Sequence, residues 1–481
     1  MIPATLRCPA PPMTVRRALH HPWDRRRALW STMPEPRLRV PTVSASTTGV
    51  KGKRSRRPAL STNLSFHVAA AIAFLVFAAN AAVSPLYRIY QVEFGFSATT
   101  LTLLFAVYIA VLLLTLLFLG SVSDYLGRRP VMLAGLIVGA AACGLFLEAH
   151  ALALLFAARA LQGVAAGLLA GTASAALHDL RPDGRATPVV SSAAPTGGQA
   201  LGAIGASALA QYAAAPTRLV WWVVLAAFAI GILAVLLMPE PGAVGPGVAS
   251  SLRLKVSVPR AARGAFAAAL PALVGTWALA GVYLSLGPSL AAQLLHSRNL
   301  IWGGILIFLL TGLGAAASAV LAKREPAAVM LGGCLALIVG ATVTLAAIQT
   351  ETPAALFVGT MVAGLGLGPA FMGAYRSTIA LAPSDDRVGL IAAIYIVSYL
   401  ATGIPAVIGG IATSHFGLHE TALGYLAVVA GLAVAAVGLL IRRRTATGTA
   451  SRGADHPDAP PGPGTVPPCP PIARRPAHAR A

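Results

Sequence analysis

The sequence predicts an all-α membrane protein with twelve transmembrane helices in two six-helix bundles, flanked by disordered N- and C-terminal tails. Three observations lead to this prediction. The 481 residues are 57% hydrophobic and only 11% charged, a balance that a soluble globule of this size would not show. Apolar runs of about 20 residues, long enough to cross a bilayer, recur along the chain. The two halves of the chain also resemble each other weakly.

Twelve apolar runs define the predicted spans. They lie at residues 66–86, 99–120, 130–148, 152–177, 187–211 and 218–238, and then at 264–287, 299–321, 327–349, 354–376, 388–411 and 419–441. The predicted organisation is a basic tail (1–64), a first bundle (65–239), a central loop (240–263), a second bundle (264–441) and a Pro/Ala/Arg-rich tail (442–481). Such tails bury too little apolar surface to fold.

The formal charge of +21 lies mostly in the tails. Residues 1–60 carry 13 Lys/Arg against 2 acids, and residues 442–481 carry 7 against 2. Of the other 16 basic residues, 12 fall on the side of the spans where the tails lie. By the positive-inside rule both termini are then cytoplasmic. We therefore expect a multi-pass protein of the inner (plasma) membrane and no nucleic-acid partner.

The weak internal repeat involves glycines and a charged turn. Gly163-Val-Ala-Ala-Gly167 precedes Asp183-Gly-Arg185 by roughly 20 residues, and Gly364-Leu-Gly-Leu-Gly368 similarly precedes Asp385-Asp-Arg387. Two parallel repeats are typical of transporters with twelve helices. Close helix packing through small residues is the simpler account of most of these glycines.

The turn between the second and third spans reads Gly120-Ser-Val-Ser-Asp-Tyr-Leu-Gly-Arg-Arg-Pro130. It resembles the loop signature G-x-x-x-D-R-x-G-R-R of the major facilitator superfamily of secondary transporters, with Tyr125 in place of an arginine. The resemblance extends over about residues 65–441. It implies a conformational switch in which Asp124 engages the inner end of the eleventh helix and holds an outward-open state. The candidate switch residues are Gly120, Asp124, Gly127, Arg128 and Arg129. The alternative is an interfacial charge cluster that only obeys the positive-inside rule.

Arg159 lies inside the fourth predicted span, where a charge is costly and functional by default. The local sequence Arg159-Ala-Leu-Gln162-Gly163 resembles the family's R-x-x-x-G motif of proton-coupled transporters. Arg159, Gln162 and Gly163 are therefore candidate coupling or substrate residues. The alternative is an arginine that snorkels outward or holds neighbouring helices through their carbonyls.

The fifth span carries a partial match to the antiporter signature G-x-x-x-G-P-x-x-G-G of drug/proton exchangers, in Pro195, Gly197, Gly198 and Gly202. None of the 15 Asp/Glu falls in the middle third of a predicted span. A membrane carboxylate with a raised pKa is the usual proton carrier. Coupling to protons would therefore have to use Glu148, Asp124 or a histidine.

Polar and aromatic residues inside the spans are candidates to line a central cavity, although such side chains also serve in packing and interfacial belts. They are Asn80, Tyr108, Gln199, Trp277, Tyr283, Tyr375, Tyr395 and Tyr399. With one buried cation, this set suits an organic solute that is neutral or anionic.

The resemblance implies secondary active transport of a small organic or drug-like solute by alternating access, as export coupled to a proton gradient. Uptake of a small metabolite and a transport-dead membrane sensor with long tails are the alternatives. The sequence has no phosphate-binding loop, no convergent nucleophile and base, and four cysteines without metal-ligand spacing. We predict no enzyme, cofactor or metal. The expected partners are a small organic solute, protons if transport is coupled, and membrane lipid around a monomer.

Overall fold

The computed structural model describes residues 60–181, 187–242, 256–383 and 386–454. The predicted tails over 1–59 and 455–481, and Asp183, Arg185 and Asp385 of the repeat, lie outside the described residues. Thirteen helices make up the regular structure of the described part: α1 Thr62–Phe94, α2 Ala98–Leu119, α3 Ser123–Leu126, α4 Arg128–Leu147, α5 Leu152–Leu180, α6 Thr187–Tyr212, α7 Pro216–Leu237, α8 Arg260–Ser285, α9 Gly287–Leu294, α10 Ile301–Leu321, α11 Pro326–Gln349, α12 Pro353–Ile379 and α13 Arg387–Ala454.

The twelve predicted spans are confirmed. Ten helical segments among the described residues are long and apolar enough to cross a membrane. One of them, Gly389–Arg443, is 55 residues long and contains two spans, because the chain bends at Gly417, whose φ of 82° is non-helical. Glycine reaches such an angle without steric cost. The 26-residue helix α6 completes the twelve.

Helix bounds differ most from the prediction at the chain's turns. The first helix begins at Thr62, where the Ser61 side chain accepts a hydrogen bond from Leu64 N, and ends at Gly95 in the left-handed conformation. Both are common helix-terminating devices, and they make α1 longer than the predicted span 66–86. The short helix α9 was not predicted. At the other end of the chain, α13 continues to Ala454, past residue 441.

The two halves of the molecule use their glycines in the same way. In the first half α5 packs against α2, and in the second half α12 packs against α10. A Cβ added at Gly163 would lie 2.7 Å from the Tyr108 carbonyl oxygen, and one added at Gly364 would lie 2.6 Å from the Leu309 carbonyl oxygen. Both glycines therefore allow close approach of two helix backbones, which agrees with a structural repeat.

The helix ends define two faces of the molecule. We call the face where α1 begins and α2 ends the tail side, and the opposite face the far side. At the far side the halves are joined by hydrogen bonds. The Thr99 hydroxyl lies 2.9 Å from that of Ser414 and donates to the Gly410 carbonyl at 3.3 Å. Between α6 and α10, Leu300 N donates to Gln211 Oε1 at 2.9 Å. The structure is therefore closed between the halves at its far side.

Candidate functional site

An ion-pair cluster on the tail side is organised around Arg128. Its Nη1 donates to Asp124 and, at 2.7 Å, to Ser123 Oγ, while its Nε donates to Asp179 Oδ2 at 2.9 Å. The Arg128 side chain is only 14% exposed. Because a shielded arginine bonded to two carboxylates is held more firmly than an exposed pair, the cluster links the short helix α3, the start of α4 and the end of α5.

Glu240 holds the start of α4 from the other side. Gly127 precedes α4 and has no side chain to cap it. Instead the Glu240 carboxylate accepts from Arg128 N at 2.5 Å and from Arg129 N at 3.2 Å. A carboxylate at a helix N-terminus satisfies free N–H groups and complements the helix dipole. A Cβ at Gly127, whose φ is 94°, would lie 2.9 Å from the Glu240 carboxylate, so the turn requires glycine there.

Arg129 completes this joint by reaching the C-terminus of α7. Its Nε donates to the Val235 carbonyl at 3.0 Å, and its Nη2 donates to the Leu236 carbonyl. These carbonyls lie in the last turn of α7, where the helix dipole favours a cation. The two arginines therefore bind different helices, Arg128 binding α3 and the end of α5 and Arg129 binding the end of α7.

The switch residues thus make their described contacts within the first half. Asp124 is paired with Arg128, and the Gly120 carbonyl lies 3.9 Å from where a Cβ at Gly171 of α5 would be. Engagement of Asp124 with the eleventh span stays a prediction. Sequence reasoning missed Asp179 and Glu240 as partners. The available signal was that both acids stand at tail-side ends of spans, close to two arginines that need counter-charges.

Arg159 is buried among helices of the first half. It is 1% exposed, and its Nη1 donates to Gln162 Oε1 at 2.7 Å while its Nε approaches the Leu104 carbonyl at 3.4 Å. Its Cζ lies 4.3 Å from the centroid of the Tyr108 ring. The predicted pair of Arg159 and Gln162 is thus in contact, with Tyr108 over the face of the guanidinium.

Helix α1 supplies the polar groups beside this arginine. Gln162 Nε2 donates to the Ala79 carbonyl at 3.2 Å, and the Tyr87 ring centroid lies 5.9 Å from Arg159 Cζ. Asn80 and Tyr87 share one face of α1, two turns apart. Asn80 Nδ2 and the Tyr87 hydroxyl are both buried without a hydrogen-bond partner. Buried polar groups are normally satisfied, so these two mark a site rather than a finished core.

The second half contributes a chain of aromatic side chains. Trp277 contacts Tyr399 and Phe371, with centroids 5.7 Å and 5.3 Å away, and Tyr395 and Tyr375 continue the chain from these two rings at 6.1 Å and 6.0 Å. This aromatic chain meets the first half, because Tyr399 belongs to the same buried cluster as Tyr108. Trp277 Nε1 is also buried without a partner. Phe371 was missed because an apolar ring gives no polar signal in the sequence.

Tyr283 and Gln199, two of the residues predicted to line a cavity, make their described contacts away from Arg159 and the aromatic chain. The Tyr283 hydroxyl lies 3.0 Å from Thr360 Oγ1, inside the second half. Gln199 of α6 is half-buried, and no described hydrogen bond joins it to the residues around Arg159.

The glycines of the fifth-span motif pack α6 against α1. A Cβ at Gly198 would lie 2.2 Å from the Phe74 carbonyl oxygen, and one at Gly202 would lie 2.3 Å from the Ala78 carbonyl oxygen. At Gly197 the nearest atom is 3.9 Å away, and Pro195 lies inside the helix. Close helix contact is therefore a sufficient reason for Gly198 and Gly202.

A pair of similar half-molecules packed side by side in a membrane is the architecture of a secondary transporter. The chain belongs to the Major Facilitator Superfamily, whose model matches residues 69–348, more than half of its length. Among solved structures it is similar to the nucleoside transporter NupG, with a TM-score of 0.63 at 14% identity over 78% of this chain and 99% of that one. It is also similar to the human organic anion transporter MFSD10, with a TM-score of 0.56 at 18% identity over 79% of this chain and 100% of that one.

Curated relatives match a shorter stretch. The chain is 34% identical over 99 residues to the multidrug resistance protein MdtL of Klebsiella pneumoniae (strain 342), covering 21% of this chain and 25% of the relative. The MdtL protein of Shewanella oneidensis is 35% identical over 99 residues, again 21% and 25% of the two chains. The match thus spans about a quarter of the length of these relatives.

Proposed function

We propose that the protein exports a small organic solute across the plasma membrane by alternating access, coupled to a proton gradient. The observation that carries the proposal is Arg159, a buried charge next to Tyr108 where the two halves meet. A charge at this depth is costly unless it serves the transported solute or ion. Rocking of the halves about this place would expose it to each side in turn.

The direction of transport is inferred from two partial resemblances. The fifth-span signature is typical of exchangers, and the curated relatives that match 99 residues are named multidrug resistance proteins. Both favour export of a drug-like molecule. Uptake of a metabolite would reverse the direction without changing the site.

The tail-side cluster is the proposed switch. The structure is closed at its far side, and Asp124 binds Arg128 of its own half. We infer that this is the inward-facing state, in which Asp124 has left the second half, and that the tail side with both termini is cytoplasmic. Breaking the bond between Arg128 and Asp179, which the proposed switch uses only in the inward-facing state, would favour the change to the outward-facing state.

Reconstituted vesicles test the proposal. A panel of labelled organic solutes is followed with and without an imposed pH gradient, for the wild type, for Arg159→Gln, and for Arg218→Gln as a control on an exposed arginine at the far side. We expect solute counterflow that the gradient accelerates and that Arg159→Gln alone abolishes. Binding without flux would favour a sensor, and equal flux of wild type and Arg159→Gln would remove Arg159 from the site.

A further inference from the structure

We propose that the site around Arg159 binds an organic anion, with the acidic group on the guanidinium and a flat apolar body against the aromatic chain of the second half. This inference rests on the proposed transport function, since it takes the site to be the place where the solute binds. It adds the charge and shape of the solute, which that proposal leaves open.

The positive charge of Arg159 has no counter-charge among the described residues around it. Arg159 is 1% exposed, and the ion pairs of the described residues join Arg128 to Asp124 and Asp179, on the tail side. The described hydrogen bonds of Arg159 go to the neutral oxygens of Gln162 and Leu104. A guanidinium carries five N–H donors, and these bonds use Nε and Nη1. A buried charge without a counter-charge is unfavourable, so an incoming anion is bound more strongly than an isosteric neutral molecule.

The site has a surplus of hydrogen-bond donors. Asn80 Nδ2, the Tyr87 hydroxyl and Trp277 Nε1 are buried and have no partner in the described structure. The amide and indole nitrogens only donate, and a tyrosine hydroxyl can donate. With the N–H groups of the guanidinium that the described bonds leave unused, the site offers donors from both halves that have no described acceptor. A carboxylate, sulfonate or phosphonate supplies acceptors without adding donors, as such a site requires.

Aromatic rings form the rest of the site. Tyr108, over Arg159, shares a buried cluster with Tyr399 of the second half, and from Tyr399 aromatic rings continue through Trp277 to Phe371. Rings at these separations accept a further planar group by stacking or edge contact. The solute therefore has a flat apolar body beside its acidic group.

A cationic solute fits this site poorly. It would place a second positive charge beside Arg159, and no acid lies in the middle third of a span to balance it. Repulsion between like charges is strong in a medium of low dielectric constant. A neutral solute would leave the guanidinium without a counter-charge.

Three probes on one scaffold test the inference: naphthalene-2-carboxylate, its carboxamide and naphthalen-2-ylmethylammonium. Binding to the purified full-length protein is measured by calorimetry and by displacement of labelled carboxylate. We expect the carboxylate to bind at least about tenfold more tightly than the amide, the effect of one charge-assisted hydrogen bond, and the ammonium to bind least. Arg159→Gln should remove the preference for the carboxylate, whereas Arg218→Gln should keep it.

Equal or tighter binding of the amide or the ammonium overturns the inference, and so does absence of carboxylate binding to a wild-type protein shown to be folded by its cooperative thermal unfolding. Because a folding defect in Arg159→Gln would also abolish binding, Trp277→Phe is the second variant. It removes one donor while keeping a ring, and should weaken carboxylate binding more than amide binding. Carboxylate binding without vesicle flux would refute transport but not the anion site. Flux restricted to neutral or cationic solutes would refute the anion site but not transport.

Discussion

A single added methyl group at Gly202 should separate the two helices that it joins. A Cβ at this position would lie 2.3 Å, 2.5 Å and 2.7 Å from the carbonyl oxygen, Cα and carbonyl carbon of Ala78. These are backbone atoms of α1, so no side chain can turn away to make room. Ordinary van der Waals contact needs about 1 Å more, and the two helices must move apart by that distance, with loss of dispersion contacts along their interface. Overpacking of this kind costs about 1–3 kcal/mol.

Gly205, three residues along the same helix, is the matched control. It has nothing within 4 Å of an added Cβ, so Gly205→Ala should be neutral or stabilise by about 0.5–1 kcal/mol through reduced backbone entropy. Both substitutions gain this entropy term, so we expect Gly202→Ala to be less stable than Gly205→Ala by the overpacking cost, about 1–3 kcal/mol. The measurement is the thermal unfolding midpoint of each purified variant in detergent. Gly202→Ala unfolding with the wild type, or Gly205→Ala unfolding as early as Gly202→Ala, would refute the packing role of this motif glycine.

Two further predictions concern the tail side. Asp124→Asn should shift the protein toward the inward-facing state and Asp179→Asn toward the outward-facing state, because the proposed switch uses Asp124 in the outward-facing state and Asp179 only in the inward-facing state. A cysteine at Thr99 should then react with an impermeant maleimide more slowly in Asp124→Asn and faster in Asp179→Asn. Shifts of the same sign in both variants would contradict the scheme. Gly127→Ala should lower the free energy of unfolding by about 1–3 kcal/mol, since φ at this residue is 94° and a side chain is strained at that angle. Gly144→Ala is the control, because a Cβ added there has no atom within 4 Å. Equal thermal unfolding midpoints for the two variants would show that the turn at Gly127 relaxes.

Much of the fold could be predicted because a bilayer fixes the length of every span. Apolar runs of about 20 residues are a direct consequence of hydrocarbon thickness, and most predicted bounds lie within a few residues of the observed helices. The exceptions have local causes. The far-side end of α1 is set by Gly95, and α9 is a short helix of eight residues, below the length that a membrane imposes.

The candidate site could be predicted by residue type but not by partner. The buried charge of Arg159 and the rings of Trp277 and Tyr399 are recognisable because each is unusual inside a span. The contacts of Arg128 with Asp179, 51 residues away, and with Glu240, 112 residues away, depend on which helix ends meet, and spacing does not encode that. Tyr283 was predicted to line the cavity from its residue type, but its hydroxyl is hydrogen-bonded to Thr360 within its own bundle.

The central claim is that the far side opens and closes during transport, and locking it closed tests this most directly. The Thr99 and Ser414 hydroxyls lie 2.9 Å apart across the two halves, so Thr99→Cys with Ser414→Cys should form a disulfide in a background whose four native cysteines are replaced by alanine. We expect oxidation to abolish solute counterflow in vesicles, reduction to restore it, and either single variant to be insensitive to oxidant. Counterflow at the full rate in the cross-linked protein would contradict alternating access.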